Sequence, residues 1–272
     1  MENFIADGVY FKYNVTDIKS PFNLIYMPEF EQLFLSTSPQ EILEADYEVS
    51  LEFTVFRMSG GTLQVLTLPA GYSPFEGDLA LPGCHLGTNS IINGAEAYLC
   101  KKLRLQLPIH LEQITTYISS SAAHSTRRLT IVLMGIVSET TNPNLPCPKG
   151  IFVKVPEVTS QITKSSLTIH DSHIIQISRN RLGELIQSKP LGTLLCSEIF
   201  TIGQLRNTYE TIWNTKLDPA NFRKRILKSV GFVEFVSKTK PNSQQGRPAH
   251  LYKRGPLNHL YPSLQKPLSQ SG

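Results

Sequence analysis

The side chains best suited to binding chemistry lie close together near the C-terminus. A segment of about ten residues contains one amide and four basic side chains: Asn221, Arg223, Lys224, Arg225 and Lys228. Lysine and arginine neutralise phosphates, arginine can read guanine through two hydrogen bonds, and asparagine can read adenine in the same way. The segment therefore has the composition of a surface that binds DNA.

A helix over about 219–229 would place the apolar side chains on one side and most of the basic ones on the other. Asp218-Pro219 predicts its start, because Asp is favoured at the N-cap and Pro at the first helical position. Helical spacing places on the apolar side Phe222, Ile226, Leu227 and Val230, and on the other side Asn221, Lys224, Arg225 and Lys228. Arg223 projects near the edge of the apolar side, which suits a phosphate or a contact within the domain better than a base.

A shorter helix is predicted just before this one. Thr201-Ile202-Gly203-Gln204 is a capping box, in which a hydroxyl and an amide satisfy backbone N–H groups at the helix start. One apolar stripe follows, formed by Ile202, Leu205, Tyr209, Ile212 and Trp213. Two helices joined by a tight turn, the second with a basic outer face, indicate a helix-turn-helix. A helical hairpin with an ordinary solvated face has the same pattern.

Two short strands are predicted after the second helix. Residues 232–236 alternate as a strand does, and Leu251-Tyr252 predicts the returning strand. The loop region between them is polar and supplies three further basic residues, Lys238, Lys240 and Arg247. Such a hairpin is a wing, and its basic side chains would contact phosphates, which positions a domain on DNA without specifying sequence.

Charge is unevenly distributed along the chain. Residues 200–254 hold eleven Lys or Arg and three Asp or Glu, whereas residues 1–199 hold 14 basic and 19 acidic residues. A basic module joined to an acidic body is typical of a nucleic-acid-binding domain fused to another domain, although a solvated basic surface gives the same count. Four scattered cysteines without CxxC spacing predict reduced thiols. The absence of a long apolar run and of a secretory pattern predicts a cytoplasmic protein with no membrane partner.

The body before residue 190 has mixed α/β patterns. Strands are predicted at 48–55, 63–68, 112–118, 128–137 and 151–155, with a glycine turn at 59–61. Helices are predicted at 91–103 and 171–188. Residues 1–45 have no clear pattern, and the proline-containing tail after Arg254 predicts disorder.

Several of these motifs, in order and at matching distances, resemble the winged-helix domain of the Nudix-related transcriptional regulators. The matching segments are 199–205 (IFTIGQL), 209–212 (YETI), Leu217-Asp218, 221–225 (NFRKR), and 246–249 (GRPA) with Leu251-Tyr252. Members are bacterial repressors or activators that join a Nudix-like sensor to this DNA-binding domain. The resemblance implies an α+β protein, with a Nudix-like α/β/α sandwich followed by a winged helix-turn-helix domain.

The body also resembles the family's sensor, with one departure. Residues 75–83 (FEGDLALPG) look like the segment leading into a Nudix box, and the helix from about 91 falls where the Nudix helix belongs. A Nudix box carries an Arg and several Glu that bind a divalent metal and position water on a diphosphate. At those positions this chain has Ser90, Tyr98, Leu99, Lys102 and Leu103, and Glu96 is the only acid between 84 and 106. The resemblance thus implies a sensor that is not an enzyme and needs no metal or cofactor.

Two other groups of residues have side chains that could bind a ligand. His170 and His173 have the i, i+3 spacing that shares a helix face, but no third metal ligand is apparent, so a helix start capped by Asp171 or Ser172 is the preferred interpretation. Arg128, next to Arg127 beside a strand, is the candidate contact for an anionic effector.

Together these patterns predict an effector-responsive transcriptional regulator that binds double-stranded DNA as a homodimer. The resemblance implies a sugar or nucleotide-sugar effector, such as ADP-ribose or a pentose. The expected parts are an N-terminal extension at 1–45, a sensor at 46–158, a linker with a helix at 159–195, a winged helix at 196–254 and a disordered tail at 255–272. One alternative is a Nudix-type nucleotide-diphosphate hydrolase with an accessory basic domain. Another is a winged helix that binds RNA or protein.

Overall fold

The computed structural model describes most of the chain from residue 47 onward. The described residues are 47–69, 79–106, 109–120, 127–138, 150–155, 169–238 and 249–267. The N-terminal extension and part of the wing loop, with Lys240 and Arg247, lie outside them. Among the described helices, none combines the length and the apolar character needed to span a membrane.

A mixed sheet forms the first part of the described chain. Its strands are β1 (Tyr47–Ser59), β2 (Thr62–Pro69), β3 (Leu79–Ala80), β4 (Gly83–His85), β5 (His110–Ser120), β6 (Arg127–Ile136) and β7 (Ile151–Lys154). The order across the sheet is β3-β2-β1-β6-β5, with β4 on β1 and β7 on β2. Strands β1 and β6 are parallel, and the other pairs are antiparallel. Gly60 and Gly61 form the predicted β1–β2 turn with positive φ angles of 55° and 75°, which glycine adopts without steric cost.

One helix covers each face of this sheet. Helix α1 (Ile91–Glu96) continues as a π-helical turn (Ala97–Lys102), and helix α2 spans Ile169–Ser188, followed by a 3₁₀ turn (Pro190–Thr193). Because side chains alternate along a strand, odd-numbered residues of β1 such as Phe53 pack with Leu99 of the π-helical turn. Even-numbered ones such as Phe56 lie in the core that includes Ile175 of α2. The predicted α/β/α sandwich is confirmed.

The C-terminal part is a winged helix. It consists of β8 (Phe200–Thr201), α3 (Ile202–Trp213), α4 (Pro219–Lys228), β9 (Val233–Lys238) and β10 (His250–Arg254). The three strands form a small sheet in the order β8-β10-β9. Both helices and both wing strands are confirmed, whereas β8 was not predicted because two residues are too few to give a periodic pattern.

A single buried core runs from the sheet into the winged helix. It contains Phe56 of β1, Ile186 of α2, Tyr209 of α3, Ile226 of α4 and Tyr252 of β10. Helix α2, expected as part of a linker, is therefore a packed layer that both parts of the protein share.

The C-terminal segment, residues 255–267, packs against this core, so the prediction of disorder is wrong for these residues. The backbone amides of Leu260 and Leu264 donate hydrogen bonds of 2.6 and 2.8 Å to the carbonyls of Ser188 and Gln187 at the end of α2. Both leucine side chains are only 4% exposed. The prolines suggested disorder, but these leucines supply the apolar area that holds the segment in place.

Candidate nucleic-acid interface

Helix α3 begins with the capping box that the sequence indicated. The Thr201 hydroxyl accepts a 3.1 Å hydrogen bond from the Gln204 backbone N–H, and the Gln204 side-chain oxygen accepts a 2.7 Å bond from the Thr201 N–H. Leu205 and Tyr209 on its apolar stripe are fully buried. Helix α3 is thus fixed at its start and along one face, so it can serve as a support for the helix that follows.

A buried carboxylate shapes the turn between α3 and α4. Asn214 ends α3 in the left-handed conformation, which asparagine tolerates better than most residues. The Glu210 carboxylate accepts a 2.9 Å hydrogen bond from the Leu217 N–H and lies 3.5 Å from the Lys216 ammonium. These contacts fix the path of the chain into α4.

Helix α4 is held in place by its N-cap and by two buried side chains, one aromatic and one aliphatic. The Asp218 carboxylate accepts a 2.7 Å hydrogen bond from the Asn221 N–H, and Pro219 is the first helical residue. Phe222 and Ile226 are buried as expected.

The apolar side of α4 is narrower than predicted. Leu227 is 44% exposed and Val230 is 90% exposed, so their assignment to that side is wrong. The helix ends at Lys228 and Gly231 has a positive φ, so the helical periodicity no longer applies at Val230.

The outer surface of α4 is positively charged and accessible. Asn221, Arg223, Lys224, Arg225 and Lys228 are all exposed, and α4 contains no acidic residue. No partner is found among the described residues for Lys224 or Lys228. These two ammonium groups are therefore available to an external anion.

The two arginines of α4 have partners within the protein. The Arg225 guanidinium donates a 2.7 Å hydrogen bond to the Ser263 carbonyl in the C-terminal segment. Arg223 lies 3.5 Å from the Tyr252 hydroxyl of β10, in keeping with its expected position at the edge of the apolar side. Arg225 was expected on the outer surface, and no sequence pattern indicated its contact with the C-terminal segment.

The wing adds a further cation. Lys238 is exposed at the end of β9, while Lys240 and Arg247 lie outside the described residues. Phe235 of β9 is 55% exposed and meets the Tyr252 ring edge-on at 6.0 Å. The Lys253 ammonium lies 3.1 Å from the Glu234 carboxylate on the neighbouring strand, so this cation is already paired within the wing.

The effector candidate in the body is already paired. Arg128 Nη2 donates a 3.1 Å hydrogen bond to the Glu48 carboxylate, and both side chains are about half exposed. The structure therefore places Arg128 in a surface ion pair, and an anionic ligand would have to compete with Glu48.

The helix at the Nudix position does not fit a hydrolytic metal centre. Glu96 is the only carboxylate of the segment 91–102, and it is exposed. Two exposed lysines, Lys101 and Lys102, follow it on the π-helical turn. Burial, and then the charge of Glu96, raise the pKa of the Cys100 thiol. One carboxylate beside two ammonium groups does not provide the oxygen cluster that a hard divalent cation needs.

Comparison with known proteins finds a match for the winged-helix part of the chain. Residues 192–253 match the family model of the NrtR DNA-binding winged helix domain. This part of the chain is therefore similar to the DNA-binding domain of that family of transcriptional regulators. The matched range covers the end of the 3₁₀ turn, both helices and nearly all of the wing, so the sequence motifs and the three-dimensional winged helix agree on the same residues.

Whole-chain relatives agree with this assignment. The chain is 23% identical over 236 residues to the ADPR responsive transcriptional repressor NtrR of Acinetobacter baylyi, covering 82% of this chain and 88% of that one. Its fold is similar to the crystal structure of Shewanella oneidensis NrtR complexed with a 27mer DNA, with a TM-score of 0.61, 19% identity, and coverage of 78% and 99%. It is also similar to a MutT/nudix family protein from Enterococcus faecalis, with a TM-score of 0.59, 15% identity, and coverage of 85% and 99%.

Helix α2 connects the sheet and the winged helix of this chain directly. The Tyr209 hydroxyl of α3 donates a 3.2 Å hydrogen bond to the Ile186 carbonyl, and Arg179 of α2 donates a 3.1 Å bond to the Thr211 carbonyl. The Thr211 hydroxyl also donates a 3.2 Å bond to the Gly61 carbonyl in the β1–β2 turn. The body therefore contacts α3 through one helix and one hairpin tip.

Sequence reasoning missed a cluster at the start of α2, which we name the α2 polar cluster: Glu52, Tyr117, His170 and Asp171. The helix starts at Ile169, so Asp171 lies in its first turn, and the expected cap at 171 or 172 is wrong. The Tyr117 hydroxyl donates a 2.8 Å hydrogen bond to Glu52 and lies 2.9 Å from His170 Nε2. Hydrogen bonding to Glu52 raises the pKa of His170 despite partial burial, and burial raises that of Tyr117. Glu52 stands 118 positions before His170, so no local pattern could reveal the cluster.

Proposed function

We propose that this chain is an effector-responsive transcriptional regulator that binds double-stranded DNA through α4 and the wing. The observation that carries the proposal is the accessible basic surface of α4, held in position by the Asp218 cap within a winged helix. Helix α4 has the width to enter the major groove, where Asn221 and Arg225 can meet base edges. Phosphate contacts come from the remaining basic residues, Arg223, Lys224, Lys228, Lys238, Lys240 and Arg247.

The Nudix-like body acts as the sensor. A relative from Acinetobacter baylyi is described as ADPR responsive, which supports an ADP-ribose-like effector here. Arg128 is a suitable contact for its diphosphate if the ligand displaces Glu48. The lack of clustered acids on α1 and its π-helical turn supports binding without hydrolysis. Two copies would place their α4 helices in successive major grooves of a palindromic site.

The decisive experiment is a salt titration of binding to duplex DNA. Fluorescence anisotropy is measured with a duplex of roughly thirty base pairs, long enough for two half-sites one helical turn apart, for the wild type and for Lys224→Ala/Lys228→Ala. Loss of two phosphate contacts should weaken binding and reduce the slope of log K against log salt by about 2. The matched control, Lys101→Ala/Lys102→Ala, removes the same charge from the body and should leave both quantities close to wild type.

Four results would count against this proposal, and two of them would favour a specific alternative. An equal loss of DNA affinity in both double variants would mean that only net charge attracts DNA. Unchanged DNA affinity in the α4 variant would show that α4 does not contact the DNA. Preference for single-stranded RNA over duplex DNA would favour the RNA-binding alternative. Magnesium-dependent breakdown of ADP-ribose, stopped by a chelator, would instead support a hydrolase.

A further inference from the structure

The geometry points to a divalent-cation site in the α2 polar cluster, with His170, Glu52 and Asp171 as its ligands. One ring nitrogen and one carboxylate oxygen from each acid all lie within 4.8 Å of one another. His170 and Asp171 come from the first turn of α2, and Glu52 comes from β1. The site would therefore join a helix to the sheet beneath it, independently of DNA binding by α4.

The charges in the cluster favour a cation. Glu52 is 12% exposed at its side chain, and Asp171 is 6% exposed as a residue. Two carboxylates held this close repel each other unless a positive charge lies between them. In the described part of the chain, the cationic side chain within ion-pair distance of Glu52 is His170, at 3.8 Å. A divalent ion coordinated by all three would neutralise both acids.

Unpartnered hydroxyl groups beside the cluster provide an independent indication. Within the described ranges, the Ser50 and Thr54 hydroxyls have no hydrogen-bond partner, and these residues are 8% and 0% exposed. Both flank Glu52 on β1 at a spacing of two residues, so all three side chains point to the same face of the sheet. Across the sheet, Ser50 pairs with Thr130 and Thr130 pairs with Tyr117, so Ser50 lies in the same row of residues as a member of the cluster. Buried polar groups are normally paired, and water bound to a cation would give these hydroxyls a partner.

The ligand set selects the class of metal. One imidazole and two carboxylates suit Zn²⁺, or Mn²⁺ as a harder alternative, better than they suit Mg²⁺ or Ca²⁺, which prefer oxygen ligands alone. Tyr117 donates to Glu52, which is the contact that orients a ligating carboxylate. The His170 side chain is 50% exposed, so an ion has a path to the site from solvent.

The test is metal binding by the untagged full-length protein after treatment with a chelator. Zn²⁺, Mn²⁺ and Mg²⁺ are titrated separately by calorimetry, with thermal unfolding as a second readout. We expect one Zn²⁺ per chain and a rise in unfolding temperature. His170→Gln and Glu52→Gln should each weaken binding by at least about tenfold. The matched control is His173→Gln, because His173 is exposed on the same helix, three residues further on, and should bind as wild type does.

The metal titrations can reject the proposed site in two ways. Absence of Zn²⁺ and Mn²⁺ binding to the wild type, or binding that His170→Gln leaves unchanged, would overturn it. Loss of metal binding in His173→Gln alone would assign the metal to that exposed histidine instead. If Glu52→Gln fails to fold, the half-exposed His170 still gives a variant that can be tested. Because the readout is metal binding, failure here leaves the DNA-binding proposal untouched, and the reverse is also true.

Discussion

The indole nitrogen of Trp213 donates a 2.8 Å hydrogen bond to the carbonyl oxygen of Gly183. This bond joins the last residue of α3 to the C-terminal third of α2. A Cβ atom on Gly183 would lie 3.5 Å from the indole ring, so the two helices are in van der Waals contact at this point. The bond therefore holds the end of α3 against α2.

Removing this hydrogen bond should lower stability. Trp213→Phe keeps an aromatic ring in a site that is 4% exposed but lacks the donor. We expect the free energy of unfolding to fall by about 1 kcal/mol, measured by urea denaturation. A variant that unfolds at the wild-type urea concentration would show that the bond does not contribute to α2–α3 packing.

The N-cap of α4 should matter for both stability and DNA binding. Asp218→Ala removes the acceptor for the Asn221 N–H and should cost about 1 kcal/mol. Asp218→Asn keeps an acceptor and serves as the control. If α4 carries the DNA contacts, Asp218→Ala should also weaken binding in the anisotropy assay. Unchanged affinity despite lower stability would argue that the α4 start is not at the DNA interface.

The Glu112–Lys189 pair predicts a pH dependence. The Lys189 ammonium donates bonds of 2.9 and 3.1 Å to the Glu112 carboxylate. Burial alone would raise the pKa of Glu112, but Lys189 and His110 outweigh it and the pKa is lowered from its ordinary value of 4.5. A carboxyl group with a lowered pKa stabilises the folded state above its unfolded pKa, and this contribution disappears as pH falls through the folded pKa.

Urea denaturation across pH can measure this effect. The difference in unfolding free energy between wild type and Glu112→Gln should be largest above about pH 5 and should shrink towards about pH 3. A difference that stays constant over this range would mean that the carboxylate charge contributes nothing, and that only side-chain packing is lost.

The C-terminal segment should be essential to the fold. Leu264 is 4% exposed, so Leu264→Ala should lower the free energy of unfolding by about 2–5 kcal/mol. Gln265→Ala, at the exposed neighbouring position, should have little effect. Equal, small effects of both variants in urea denaturation would mean that the segment is only loosely attached in solution.

Much of the fold followed from local patterns. The capping box at Thr201, the Asp218-Pro219 start of α4 and the alternating strands all depend on neighbours a few residues apart, and the structure contains each of them. The basic surface of α4 was predictable for the same reason, since helical periodicity decides which side chains share a face.

The errors came from contacts between distant residues. The bond from Arg225 to Ser263 and the burial of Leu260 and Leu264 depend on how the chain returns to α2, which composition cannot show. The α2 polar cluster likewise needs the parallel pairing of β1 with β6 and the placement of α2 over that sheet. Tertiary packing, not local preference, decides such groupings.

The C-terminal segment has a mechanical consequence. It contacts α4 through Ser263 and α2 through Leu260 and Leu264, while α3 packs against the same two helices. The three helices and the segment thus contact one another in a closed ring, and these contacts favour movement of α4 together with α2 and α3. If effector binding displaces α2, we expect α3, α4 and the C-terminal segment to move with it. In the proposed homodimer, such a movement would change the distance between the two α4 helices, and the preferred DNA site would then differ in the spacing of its half-sites.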